Sequence, residues 1–273
     1  MTTEPSTKIE TGTDHILAER DGHVLVLTLN RPERMNAISG PMLMTFSRLL
    51  VEANRDPGVR AVILTGAGRG FCSGLDLVDS GPAARGGQAA QPQQLFDLRD
   101  SAPTVLWNMD KPVICALNGP AAGYGMDLAL LCDMRIAGAS GRMAAVTARR
   151  NLLPESGGTW LLPRLVGWGK AAEMFFRGQV LDAEACLAIG LVNEVVPDDQ
   201  LMATARQWAR EIAVNAPMAV QATKRMMRQG LHESYETTVD HLMVHLRTLF
   251  GMEDFKEGVA AFLEKRAPEF TGR

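Results

Sequence analysis

Short runs of β-forming residues alternate with helical segments over the first half of the chain, and this alternation limits the fold more than any other feature. The predicted strands are nearly continuous in apolar residues, as buried strands are, and they are Val24–Leu29, Val59–Thr65, Val113–Leu117 and Met134–Ala137. Helices are predicted between them, from Ser39 as N-cap to about Asn54, from about Leu95 to Met109, and from Met126 to Cys132. This alternation predicts an α/β fold.

The two ends of the chain have a different pattern. Residues 1–14 are polar and predict a flexible tail, whereas residues 199–273 predict amphipathic helices without strands. We therefore expect a core over residues 15–198 and a helical oligomerisation region over residues 199–273. The segment Ser80–Gln94 is low in complexity and predicts a mobile surface loop.

Composition excludes several classes of protein. The 273 residues are 46% hydrophobic, and 28 Lys and Arg stand against 31 Asp and Glu, so the basic excess of a nucleic-acid-binding protein is missing. No apolar run approaches the roughly 20 residues that cross a bilayer, and the polar start does not resemble a secretory signal. Four cysteines without close paired spacing indicate reduced thiols. We expect a soluble cytoplasmic protein with neither nucleic acid nor membrane as partner.

Three local patterns suggest other chemistry. The glycines of Gly66–Gly70 follow a strand, but their spacing departs from that of a dinucleotide-binding turn. Cys72, in Gly-Phe-Cys-Ser-Gly, is the candidate nucleophile of a thiol hydrolase, with a histidine as base, for which the candidates are His232, His241 and His245. His241 and His245 also have the spacing of a zinc-binding pair, but a third ligand is not evident, and we predict no metal site.

The segment Asn118–Asp127 is the most informative part of the sequence. Its glycines precede a helix whose first turn carries an acid, Asp127, in an otherwise apolar run. Free N–H groups at a helix start stabilise a developing oxyanion, and a carboxylate in the same turn can move a proton. The alternative is that Asp127 only satisfies the helix dipole.

At this point the chain resembles the crotonase superfamily of enoyl-CoA hydratases and isomerases. The similar segments span nearly the whole chain, and they are Asn30–Ser39, Gly70–Asp76, Asn118–Asp127 with Cys132 and Asp133, Leu181–Pro197, and Ala261–Arg266. The resemblance implies a spiral of ββα turns followed by a helical trimerisation region, assembled as a homotrimer or a dimer of trimers. It also implies a coenzyme A thioester as substrate, with no cofactor beyond that substrate.

The same resemblance implies site residues. The backbone N–H groups of Leu75 and Tyr124 would hold the thioester oxygen, which agrees with the glycine-rich turns that carry both. Tyr124 departs from the glycine often found there, but the donor is backbone. The implied coenzyme A contacts are Arg34, Met35, Gly74, Asp76 and, from a neighbouring subunit, Lys265.

The proton-transfer groups depart from the family pattern. The hydratases use two glutamates; here Asp127 stands at the first position and Thr147 at the second, and a threonine is no acid or base at neutral pH. Glu155 stands where the dienoyl-CoA isomerase branch carries an aspartate, although a carboxylate near a helix start is the alternative role. We therefore expect enolate chemistry with Asp127 and Glu155 as the proton-transfer candidates. A catalytically weak acyl-CoA-binding scaffold trimer and the Cys72 hydrolase are the alternatives.

Overall fold

The computed structural model describes residues 6–76 and 101–273. The predicted loop Ser80–Gln94 lies outside them. The strands are β1 Thr7–Ile9, β2 Ile16–Asp21, β3 Val24–Leu29, β4 Ala61–Gly66, β5 Val113–Leu117, β6 Pro120–Ala122, β7 Met134–Gly138, β8 Arg142–Ala144, β9 Val180–Asp182 and β10 Glu194–Val196. The helices are α1 Gly40–Arg55, α2 Ala102–Asn108, α3 Tyr124–Leu131, α4 Gly158–Val166, α5 Trp168–Arg177, α6 Ala183–Ala188, α7 Leu201–Ala213, α8 Pro217–Gly230, α9 Tyr235–Phe250 and α10 Glu253–Glu264.

The predicted α/β fold is confirmed, and its centre is a seven-stranded sheet in the order β1-β2-β3-β4-β5-β7-β10. The pairs from β3 to β10 are parallel, whereas β1–β2 and β2–β3 are antiparallel. The predicted N-cap is also confirmed, because the Ser39 hydroxyl accepts a hydrogen bond from the Met42 N–H at 3.4 Å.

Both faces of the sheet are covered, and the alternation along each strand divides the core in two. Leu25, Leu27 and Leu29 of β3 belong to the larger cluster, which also includes buried residues of α1 to α6. Val24 and Val26 point to the other face. Successive strand residues therefore serve different cores, which explains why these strands are apolar throughout.

Helix α7 covers the second face, which corrects the assignment of residues 199–273 to an oligomerisation region alone. Its buried stripe recurs every four residues and consists of Leu201, Ala205, Ala209 and Ala213. The alanines allow the helix axis to approach the sheet closely. Helix α7 is therefore part of the core.

The expectation of a flexible tail over residues 1–14 is also wrong in part. Thr7–Ile9 form β1, which pairs antiparallel with β2 in the register Thr7↔Arg20 to Ile9↔Ala18. All three residues are exposed, so no apolar pattern signalled this edge strand.

The C-terminal helices present apolar side chains to solvent. Phe262 is 82% exposed and Leu263 73%, and both line an apolar groove with a volume of about 530 Å³. Exposed apolar surface of this kind favours a covering partner. Within the described residues, no helix is both long and apolar enough to cross a membrane.

Candidate active site

Asn36, which is buried, and Asn118, which is partly buried, hold the glycine-rich turn that follows β4. The Asn36 side-chain amide donates to the carbonyl oxygens of Ala67 at 2.9 Å and of Gly70 at 2.7 Å. Asn118 donates to Gly70 O at 3.1 Å, and its Oδ1 accepts from the Gly66 N–H at the same distance. The turn is therefore fixed by side chains from two other segments. Both asparagines belong to family-like segments of the sequence, but no sequence pattern indicates a role for their side chains.

The segment after this turn is bound on both sides by backbone hydrogen bonds. On one side, Cys72 pairs with Ala121 of β6, since the Ala122 N–H donates to Cys72 O at 2.9 Å. On the other side, the Ile38 N–H donates to Gly74 O and the Asp76 N–H donates to Ile38 O, both at 2.9 Å. These bonds place residues 72–76 between the start of α1 and the start of α3.

The two predicted oxyanion donors lie on facing segments. Gly74 has φ of 109°, and a Cβ atom added there would lie 3.1 Å from Ala122 O and 3.6 Å from the Tyr124 amide nitrogen. A glycine is therefore required both by the backbone angle and by this approach. Among the described residues, neither the Leu75 N–H nor the Tyr124 N–H donates to a protein acceptor. Both amides are available to a ligand oxygen.

Asp127 is buried in the first turn of α3 and contacts the loop before α4. Its Oδ2 accepts a hydrogen bond from the Ser156 N–H at 2.9 Å, whereas Oδ1 has no partner of its own among the described residues. The side chain of Asp127 packs against Gly158, where an added Cβ would lie 3.0 Å from Asp127 Cγ. Burial raises the pKa of Asp127 from 3.8 to about 6; the Glu155 charge adds to this, and the amides of Ser156 and Gly158 oppose it. Asp127 can therefore exchange a proton near neutral pH.

Glu155 immediately precedes Ser156, so the two predicted acids are brought together by one loop. Glu155 is exposed to solvent, yet partial shielding by protein atoms raises the pKa of its carboxyl. Thr147 lies nearby, with its Cγ2 atom 3.8 Å from where a Cβ on Gly123 would be. The acids Asp127 and Glu155 are thus adjacent to the start of α3, and Thr147 presents a methyl group there.

The predicted coenzyme A residues of the N-terminal half form one cluster. The Asp76 carboxylate is buried and pairs with Arg31 at 3.0 Å and with Arg34 at 3.2 Å. Met35 lies against Gly70, and its carbonyl accepts the Ser73 N–H at 2.9 Å. Asp76 therefore positions the two arginines, and Arg31, which sequence analysis did not single out, is part of the cluster.

Lys265 is not brought into this cluster within one chain. It lies exposed at the C-terminal end of α10, with a left-handed backbone at φ of 54°. Contact with a coenzyme A bound at Arg34 stays a prediction that requires a neighbouring subunit.

The Cys72 hydrolase alternative is opposed by the structure. Cys72 is fully buried, and burial raises the pKa of its thiol to about 12, so the nucleophilic thiolate is not formed at neutral pH. None of the three candidate histidines forms a described contact with it. His232 stacks on Trp160, and His241 pairs with Glu233 at 3.1 Å.

Other chemistry has little support in the part of the chain that the structure describes. No group of three or more His, Cys, Asp and Glu side chains that could hold a metal ion is present there. The four cysteines are all buried free thiols.

Comparison with known proteins decides the family. The family model for enoyl-CoA hydratase/isomerase matches residues 19–273. The chain belongs to the enoyl-CoA hydratase/isomerase family. Its fold is the crotonase fold: it superposes with a TM-score of 0.86 on the enoyl-CoA hydratase EchA1 of Mycobacterium marinum, at 31% identity, covering 96% of this chain and 100% of that one.

Curated members of the enoyl-CoA hydratase/isomerase family align over nearly their full length. The chain is 38% identical to the 1,2-epoxyphenylacetyl-CoA isomerase of Escherichia coli, covering 95% of this chain and 99% of the relative. It is 35% identical to the short-chain-enoyl-CoA hydratase of Clostridium acetobutylicum, covering 94% of this chain and 97% of the relative. The family therefore includes both hydratases and isomerases.

Proposed function

We propose that this protein is an enoyl-CoA hydratase or isomerase that works through a thioester enolate. The observation that carries the proposal is the pair of available amides, Leu75 and Tyr124, on segments that approach within van der Waals contact at Gly74. Two preorganised N–H groups stabilise negative charge that develops on a thioester oxygen. The activities for which the two relatives are named, one an isomerase and one a hydratase, are both consistent with this chemistry.

Asp127 and Glu155 are the proposed proton-transfer groups. In isomerisation, a carboxylate removes a proton from C2 of a 3-enoyl thioester, the electrons move onto the oxygen, and a carboxylic acid returns a proton at C4. The pKa of Asp127, about 6, suits this exchange because that group occupies both protonation states near neutral pH, and burial also raises the pKa of Glu155.

The coenzyme A portion is proposed to bind at the arginine cluster. Arg34, Met35, Gly74 and Asp76 lie together beside the proposed oxyanion donors, and Arg34 is partly exposed for contact with a phosphate. Lys265 of a second subunit would add a further cation.

The assembly is proposed to be a homotrimer or a dimer of trimers in the cytoplasm. The apolar side chains on the last helices support a subunit interface, because surfaces of this kind are seldom left in water. The buried free cysteines are consistent with a reducing compartment.

Turnover of two substrates by the purified full-length protein tests the function. Crotonyl-CoA reports hydration through loss of the conjugated thioester absorbance and a gain of one water in mass. A 3-enoyl-CoA reports isomerisation through a gain of that absorbance at constant mass. Conversion of either supports the proposal, and binding of both without conversion would indicate a scaffold protein instead.

A further inference from the structure

The side chain of Tyr124 carries a buried hydroxyl group that the mechanism above leaves unused. Tyr124 is only 5% exposed, and its hydroxyl oxygen has no hydrogen-bond partner among the described residues. A buried hydroxyl without a partner destabilises a protein, and phenylalanine would fill the same space without that cost. The hydroxyl therefore indicates a partner that arrives with the substrate.

The position of Tyr124 places this hydroxyl among the acids of the site. Tyr124 and Asp127 are the first and fourth residues of α3, and side chains three residues apart lie on the same helix face. Burial raises the pKa of the phenol, and the acidic groups of Cys72, Asp127 and Glu155 raise it further. The hydroxyl thus keeps its proton and is available as a donor.

The second observation concerns the Oδ1 atom of the Asp127 carboxylate. Asp127 Oδ1 is a buried acceptor that lies beside Gly158 without a well-formed hydrogen bond, and Tyr124 Oη is a buried donor with no partner among the described residues. The two groups do not bond to each other. One oxygen atom placed between a phenol donor and a carboxylate acceptor would satisfy both, since water and alcohols both accept and donate.

We propose that the Tyr124 hydroxyl binds the oxygen atom that adds to C3 of an enoyl thioester, with Asp127 accepting the proton of that oxygen. In hydration this atom is the water oxygen, and in the reverse reaction it is the hydroxyl of a 3-hydroxyacyl thioester. The inference rests on the proposed function and deepens it, because it gives the site a second group to hold water where Thr147 presents a methyl.

The step balances without a co-reactant. The water oxygen bonds to C3, the electron pair of the C2–C3 double bond moves to form the enolate, and one proton of the water passes to Asp127. Asp127 then returns a proton to C2, so that one molecule of water has been added and the carboxylate is restored. Tyr124 donates a hydrogen bond throughout and transfers no proton.

The experiment compares hydration with isomerisation in Tyr124→Phe. This change removes one oxygen atom and leaves the Tyr124 backbone N–H in place. We expect kcat for hydration of crotonyl-CoA to fall by about 10-fold or more, the effect of losing one hydrogen bond to a reacting group, with KM within about twofold. Isomerisation of a 3-enoyl-CoA adds no water, so its kcat should fall by a clearly smaller factor than kcat for hydration does.

Tyr235→Phe is the matched control. Tyr235 is the other tyrosine of the chain and is 79% exposed on α9, so its loss should change neither reaction. Thermal unfolding supplies a second readout: Tyr124→Phe should keep or raise Tm because no protein hydrogen bond is lost.

Three results would overturn the inference. They are unchanged hydration in Tyr124→Phe, an equal fall in both reactions, and a wild-type enzyme that isomerises but does not hydrate. All three leave the proposed function intact. A wild-type protein that converts neither substrate would overturn the proposed function and this inference with it.

Discussion

The carboxylate of Asp127 accepts a hydrogen bond from the backbone amide of Ser156 at 2.9 Å, so a residue of α3 holds the loop on which Glu155 lies. The contact links the two acids: one is buried within the first turn of a helix, and the other is exposed on the loop that this buried group fixes. Glu155 therefore affects Asp127 by its charge, and Asp127 affects Glu155 by fixing its loop.

Asp127→Asn should stabilise the protein in a pH-dependent way. The pKa of Asp127 rises from 3.8 to about 6 on folding, so the native state binds this proton more tightly than the unfolded state does. The free energy of unfolding of the wild type should therefore fall, by roughly 3 kcal/mol from this group, as pH rises from below 4 to above 6. Asparagine keeps an acceptor for Ser156 and carries no charge, so its advantage in denaturant unfolding should be larger at pH 8 than at pH 4.

Asp199→Asn is the control for this measurement. Asp199 is exposed, so its replacement should shift the unfolding curves equally little at both pH values. A gain in stability for Asp127→Asn that is the same at pH 4 and pH 8 would show that the carboxylate is not destabilised by burial.

Glu155→Gln should lower kcat by roughly 10²–10⁴-fold on the best enoyl-CoA substrate, the range typical of losing a general acid or base. Binding of the thioester should persist, because the oxyanion donors are backbone groups. Steady-state kinetics on this variant and on Glu184→Gln, which changes an exposed glutamate of α6, separate a specific from a general effect. If Glu155→Gln keeps the wild-type kcat, Glu155 is only a carboxylate near a helix start and takes no part in proton transfer. Asp127 would then remain the sole candidate acid.

Lys265→Ala should raise KM for acyl-CoA substrates much more than it lowers kcat, because it removes a contact far from the thioester. The effect should shrink as salt concentration rises, since screening weakens the contact in the wild type. Lys256→Ala alters another exposed lysine of α10 and should leave KM unchanged. An unaltered KM in Lys265→Ala for every active substrate would remove Lys265 from the coenzyme A site.

Phe262→Glu should dissociate the assembly. The ring of Phe262 is 82% exposed in the single chain, and a carboxylate buried in an apolar subunit interface is unfavourable. Light scattering after gel filtration should give a trimer or hexamer for the wild type and for Lys256→Glu, and a smaller species for Phe262→Glu. A wild-type chain that is monomeric at micromolar concentration would contradict the proposed assembly.

Local pattern was enough to predict the central strands β3, β4, β5 and β7 and several helix ends. Val113–Leu117 is a strand over the predicted residues, because an apolar β-forming run between Pro112 and Asn118 has few alternatives. Ser39 caps α1 as its hydroxyl predicts. Helix α7 was predicted to contact another subunit, but it packs on the sheet of its own chain. An apolar stripe shows that one helix face is buried but does not show what covers it.

The sequence was enough to propose backbone donors and acids for the candidate site, but it did not predict their supporting contacts. The glycines before Tyr124 predicted an available backbone amide at the start of a helix. The ion pairs of Asp76 with Arg31 and Arg34 join residues more than 40 positions apart, and no local pattern specifies such a pairing. The Tyr124 hydroxyl is likewise not predictable from the sequence, because the lack of a hydrogen-bond partner is visible only in the folded chain.

Solvent deuterium incorporation at C2 of an acyl-CoA thioester tests the central claim, enolate formation at the Leu75 and Tyr124 amides, most directly. The purified wild-type protein is incubated with a saturated acyl-CoA in deuterium oxide, and C2 deuteration is followed by mass spectrometry. A parallel sample contains Leu75→Pro, in which the donor N–H is absent, with its fold checked by circular dichroism. The account predicts exchange by the wild type and a loss of roughly 10²–10³-fold in the folded variant, as for removal of one oxyanion donor. Equal exchange by both folded proteins would contradict it.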